Sequence, residues 1–147
     1  DFFKKYGLKW EALQTSYAMA ENVFGITQSP LGSEPLVLEI DRELFMTERV
    51  AKSPFDGRPS MKMMSSGRPI ENVKLRIIDE KGNEVQERVV GEIALQSECM
   101  LTGYFNRLDL TEKAFRDGWY LTGDYGFVSD GELFVFGRKK DMIIVGG

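Results

Sequence analysis

The 147 residues carry 19 Lys and Arg against 23 Asp and Glu, a net charge of −4, and no histidine. At about 100 to 200 residues per domain this is one domain's worth of sequence, and 42% hydrophobic with 29% charged residues is a globular composition, not a disordered one. The missing imidazole excludes His-activated nucleophiles and His-ligated zinc within the chain, the lone Cys99 excludes an internal disulfide, and the acidic balance argues against nucleic acid or an anionic membrane as partner.

In chain order, the spacing predicts a short buried strand over 12–17 and a helix from Met19 to Ile26. Ser29-Pro30-Leu31-Gly32 breaks the chain, 36–40 reads as a strand, and Asp41 is placed to cap a helical turn over 42–46. Pro54, Gly57 and Pro59 mark 51–67 as loop. Beyond Gly67 the pattern becomes β. Val73, Leu75 and Ile77 alternate with Lys74 and Arg76, Lys81-Gly82-Asn83 supplies a turn, and 91–96 follows as a strand. A short helix is expected over 108–115, then strands over 119–122 and 126–128, and Ser129-Asp130-Gly131 turns the chain into 132–136 as a hairpin. No run approaches the ~20 apolar residues of a membrane span, and the single cysteine fits a reducing, cytoplasmic setting.

Several side chains stand where chemistry is possible. Asp124 lies between Gly123 and Tyr125-Gly126 at the end of an apolar strand, where its carboxylate could accept two hydrogen bonds from a vicinal diol such as ribose; it reads equally as a turn residue beside glycine. Fourteen residues later, Arg138 offers a planar donor fork for sugar or phosphate oxygens, with Lys139 and Lys140 adding charge, although a basic run at a strand exit is also an ordinary solvated face. Glu21 is a hard-oxygen ligand for magnesium or a glutamate complementing a helix dipole, and Tyr17 stacks on a base or fills the core. Met61, Met63 and Met64 read as core filling or the wall of an acyl channel, and Cys99, with no histidine to activate it, reads as a structural thiol.

Taken together and in order, Tyr17-Ala18-Met19-Ala20-Glu21, Gly67-Arg68-Pro69, Gly91-Glu92-Ile93, Leu101-Thr102-Gly103-Tyr104-Phe105, Trp119-Tyr120-Leu121-Thr122-Gly123-Asp124 and Gly137-Arg138-Lys139-Lys140-Asp141 resemble the adenylate-forming superfamily of acyl-CoA synthetases, fatty acyl-AMP ligases and AMP-binding adenylation enzymes. The resemblance favours the fatty acyl-AMP ligase branch, to which alanine before the glutamate is familiar. Ala18 and Ala20 stand where the wider family commonly has glycine and threonine, and the lost threonine hydroxyl removes one possible phosphate-side contact.

The resemblance implies an α+β fold: the C-terminal part of an α/β adenylate-binding subdomain over 1–66, a β-rich, barrel-like subdomain over 67–137, and a hinge over 138–147 leading to a further domain. It implies that Asp124 and Arg138 bind the ribose and phosphate of ATP, that Tyr17 flanks the adenine, that Glu21 serves catalysis by holding Mg2+, and that Lys140 is the hinge residue. The implied reaction activates a fatty or similarly apolar carboxylic acid as acyl-adenylate with release of pyrophosphate, followed by transfer to CoA or an acyl carrier protein. With the phosphate loop and the catalytic lysine of the family absent from these residues, the chain is expected to be an inactive portion of a longer enzyme. Two alternatives are an acyl-CoA synthetase, and a non-catalytic β-rich interaction module.

Overall fold

Ten strands and two short α-helices follow one another in the computed structural model, which describes residues 2–140. β1 (Ser16–Ala18), β2 (Gly25–Gln28) and the two-residue β5 (Arg68–Pro69) form an antiparallel sheet in that order. β3 (Val37–Asp41) and β4 (Ser60–Met64) form a separate antiparallel pair, with α1 (Arg42–Glu48) between them in sequence. β6 (Val73–Ile78), β7 (Gly91–Ser97), β9 (Trp119–Ser129) and β10 (Glu132–Arg138) make the main sheet, ordered β10-β9-β7-β6. After α2 (Leu108–Ala114), β8 (Phe115–Arg116) adds to β9. The class is α+β and β-rich, as expected. No helix among the described residues is long and apolar enough to cross a membrane.

The main sheet lies between two apolar clusters. Leu133 and Phe134 are adjacent in β10 and therefore point to opposite faces. Leu133 joins Ile26, Ile77, Ile93 and Leu95, whereas Phe134 joins Phe127, Phe45, Ile40 and Met63. Across the β9–β10 hairpin the rings of Phe127 and Phe134 stack at 4.9 Å, and Phe45 meets Phe127 edge-on at 6.0 Å. Each such buried side chain contributes about 1.5 to 3 kcal/mol relative to exposure. Asp41 caps α1 as its position predicts, its carboxylate accepting from the Leu44 N–H at 3.0 Å.

Several expectations are corrected. The helix over 19–26 is replaced by a 3-10 turn, Ala20–Asn22, followed by a γ-turn centred on Val23 (φ 65°, ψ −53°) in which the Phe24 N–H donates to the Asn22 carbonyl at 2.7 Å. The Asn22 side chain then donates to the Gly25 carbonyl at 2.7 Å and turns the chain into β2, giving local bonds that compete with a helix. The strand over 12–17 is reduced to β1, preceded by a 3-10 turn Trp10–Ala12. The loop over 51–67 contains β4, because Met61 and Met63 alternate inward against β3. The methionines accordingly divide: Met63 is buried in the core, Met61 packs against it and Met64 is exposed.

Two bulges shape β9 and β10. On β10, Val135 pairs with Gly126 but Gly137 with Tyr125 and Arg138 with Asp124, so Phe136 is an extra residue whose ring packs edge-on against Phe45 at 4.8 Å. On β9, Tyr125 pairs with Glu92 and Leu121 with Ala94, which leaves Thr122, Gly123 and Asp124 facing Ile93 alone. The strands expected over 119–122 and 126–128 are thus one strand with a swelling in the middle.

Candidate functional site

Where β9 swells away from β7, side chains replace the missing ladder bonds. Thr122 Oγ1 donates to the Ile93 carbonyl at 2.9 Å and accepts from the Asp124 N–H at 3.0 Å. Gly123 adopts a left-handed conformation (φ 73°) that favours glycine, and its N–H donates to Glu92 Oε1 at 3.1 Å. The Gly123 carbonyl accepts from the Lys139 N–H at 2.8 Å. Asp124 emerges from this frame nearly buried, at 7% exposure.

Its carboxylate is held from two sides. Oδ2 accepts from the Tyr17 hydroxyl at 2.5 Å, and Oδ1 accepts from Arg138 Nε at 3.1 Å. Tyr17 reaches it from β1, so this contact links the small sheet to the main one. Burial, followed by donation to Asp124, pushes the Tyr17 phenol well above its usual range, so it stays a protonated donor. A carboxylate offers about four acceptor positions, and each Asp124 oxygen keeps one more after these two bonds. Two adjacent hydroxyls on a ligand match that remaining capacity. The Arg138 guanidinium is mostly exposed and bonds Asp124 through Nε alone, leaving its outer edge toward solvent.

Glu21 is held elsewhere in the same frame. Oε1 accepts from the Tyr104 hydroxyl at 3.2 Å, and the Tyr104 and Tyr120 hydroxyl oxygens are 2.9 Å apart. Tyr104 has one proton and gives it to Glu21, so Tyr120 donates to Tyr104. Burial and that bond raise the Tyr120 phenol above its usual range, which keeps the donor in place. Tyr104→Phe leaves the buried Tyr120 hydroxyl without its acceptor. It is expected to lower stability by roughly 1 to 3 kcal/mol, read as a lower denaturant midpoint at unchanged slope.

The fold therefore brings Tyr17 and Arg138 onto the Asp124 carboxylate and ties Glu21 to β9 through two tyrosines. Lys140 follows in an exposed turn, and 141–147 of the expected hinge lie outside the described residues. Cys99 is exposed, which corrects its reading as a structural thiol: it follows Glu98 in the turn after β7, which faces outward. Glu92 and Tyr104 were assigned no role from sequence. Both sit inside motifs that carried the resemblance, and Glu92 is the one charged residue of β7, which is the signal that could have singled it out.

The chain is 34% identical over 99% of its length to the medium-chain-fatty-acid–[acyl-carrier-protein] ligase JamA of Moorena producens, and covers 26% of that protein. Over 99% of its length it is 28% identical to the long-chain-fatty-acid–AMP ligase FadD32 of Mycobacterium marinum, again covering 26%. Its fold superposes with a TM-score of 0.87 and 34% identity on a fatty acyl-adenylate ligase from L. pneumophila solved with acyl adenylate and pyrophosphate, over 97% of this chain and 26% of that one.

Along nearly its whole length the chain is similar to members of the adenylate-forming superfamily. Proteins of this superfamily similar to it also include acyl-CoA ligases and adenylation domains of non-ribosomal peptide synthetases. The chain spans about a quarter of the length of the relatives it matches. No protein-family model matches it.

Proposed function

We propose that this chain supplies the ribose and adenine side of the nucleotide site in an ATP-dependent ligase that activates a fatty or similarly apolar acid as acyl-adenylate. The observation that carries the proposal is the Asp124 carboxylate, fixed by Tyr17 and Arg138 through one bond to each oxygen, which leaves each oxygen one further acceptor position. In this reading the two ribose hydroxyls donate to those positions, Arg138 lends its outer edge to sugar or phosphate oxygens, and Tyr17 borders the base. The acid's carboxylate attacks the α-phosphorus, a new P–O bond forms, the bond to the β-phosphate oxygen breaks, and pyrophosphate leaves. Such chemistry depends on positioning and charge neutralisation and needs no protein nucleophile, in keeping with a chain that lacks histidine.

Glu21 would hold Mg2+, which supplies charge neutralisation at the phosphates. The residues fit that ion. Among the described residues no group of three or more His, Cys, Asp or Glu side chains gathers to make a protein cage, and Mg2+ is commonly held by one or two carboxylates together with phosphate and water. Tyr104 occupies only one oxygen of Glu21, so the other stays available. Lys140, two residues beyond the last pairing of β10, is where we place the start of movement toward a further domain.

Similarity to both AMP ligases and CoA ligases makes a CoA synthetase the second reading. The two separate when the enzyme carrying this chain is given ATP and a medium- or long-chain fatty acid, with and without CoA. Accumulated acyl-adenylate and no thioester are expected. Rapid thioester formation would favour the CoA synthetase, and no pyrophosphate release with any acid would overturn both.

A further inference from the structure

The swelling of β9 leaves the Gly123 peptide units without partners on β7, and buried backbone groups need partners. Glu92 supplies one. Its side chain is 13% exposed, and both oxygens are used: Oε1 takes the Gly123 N–H at 3.1 Å and Oε2 takes Lys139 Nζ at 3.1 Å. Lys139 closes the ring by donating its own N–H to the Gly123 carbonyl at 2.8 Å. No atom lies within 4 Å of where a Gly123 β-carbon would stand, so packing does not wall this backbone in and polar ties carry its placement. Asp124 follows Gly123, Arg138 precedes Lys139, and the two are cross-strand partners.

We propose that Glu92 is a positioning residue for nucleotide selection: by holding Gly123 and Lys139 on one carboxylate, it sets the spacing of the Asp124–Arg138 pair and thereby the recognition of a ribose diol. It touches neither of those residues through a direct bond and acts through the Gly123 N–H. The Lys139 side chain is half exposed, and exposed ion pairs contribute little, so the backbone bond is the effective link. The proposal rests on the reading of Asp124 as the ribose acceptor.

The test compares kcat/KM for ATP and for 2′-deoxy-ATP in the enzyme carrying this chain. Asp124→Asn should narrow the ratio, which establishes the ribose reading by itself. Glu92→Leu should narrow it about tenfold, mostly through KM for ATP, whereas Glu92→Gln, whose amide oxygen still accepts from Gly123, should stay within about twofold of wild type. A folded Glu92→Leu enzyme with the wild-type ratio overturns the proposal. Should the leucine variant not fold, Glu92→Asp keeps the charge but is one methylene too short; a narrowed ratio supports the proposal and a wild-type ratio overturns it. If Asp124→Asn leaves the ratio unchanged, the ribose reading falls, and amide exchange at Gly123 decides the role of Glu92. Protection lost in Glu92→Asp and kept in Glu92→Gln supports the positioning role, and protection kept in both overturns it.

Discussion

Asp124→Ala is expected to lower kcat/KM for ATP by about 10²- to 10⁴-fold, because two hydrogen bonds to a charged acceptor contribute about 1.5 to 3 kcal/mol each and each 1.36 kcal/mol is a factor of ten. Pyrophosphate exchange into ATP, driven by the fatty acid, is the direct measurement. Alanine also removes the acceptor of the Tyr17 hydroxyl and the partner of Arg138, so some of the loss passes through the scaffold. Asp124→Asn separates the two effects. An amide of the same shape still accepts from one neighbour, and its stability should stay closer to wild type while its ATP use falls. Exchange at the wild-type rate in both variants would remove Asp124 from the nucleotide site.

Gly67→Ala should be the most damaging single-methyl change in the fold. Gly67 has φ +90°, a conformation that L side chains rarely adopt, and a β-carbon there would fall deep inside van der Waals contact with the Gln28 carbonyl carbon and the Ser29 nitrogen. Those are backbone atoms of β2 and its exit, so no rotamer change relieves the overlap. The same residue joins the sheets: its N–H donates to Ser65 Oγ at 2.8 Å, and its carbonyl accepts from the Leu133 N–H at 2.9 Å. Moving Gly67 to make room for the methyl therefore disturbs both bonds. A loss of about 3 to 5 kcal/mol is expected, at the severe end for point substitutions, and is checked as a fall in thermal or denaturant midpoint. A midpoint within experimental error of wild type would show that the β2–β10 junction can shift freely. Gly32, with positive φ but nothing within 4 Å of a β-carbon, is the control and should lose only the backbone strain.

Local signals carried much of the fold. Asp41 before Arg42-Glu43-Leu44 announced its cap, Asp130-Gly131 its hairpin, and the alternation of Val73, Leu75 and Ile77 its strand. Features made by contacts distant in sequence were not legible. β4 exists because Met61 and Met63 meet β3, across a segment whose prolines argued for loop. The helix expected after Met19 loses to a chain of local bonds around Asn22 and to pairing of β2 on both sides. At the site, motif residues pointed to Tyr17, Asp124 and Arg138, yet nothing in their spacing said that a phenol from position 17 would meet a carboxylate from position 124. Glu92 and Tyr104 stayed hidden for a related reason: each serves a residue remote in sequence, Gly123 in one case and Glu21 in the other.

The extra residue at Phe136 makes the Asp124–Arg138 pair a matter of parity. Side chains alternate along a strand, so counting back from the Asp130-Gly131 turn, an even ladder would set position 138 opposite Gly123, with its side chain on the face away from Asp124. One uncompensated residue restores the match. Loss or gain of a single residue anywhere between the turn and Arg138 would thus keep a hairpin of almost the same composition while sending the guanidinium to the wrong side of the sheet. Length changes in this hairpin should be tolerated only in compensated form, and a lineage that altered it by one residue would have had to find a replacement for the Arg138 cation elsewhere.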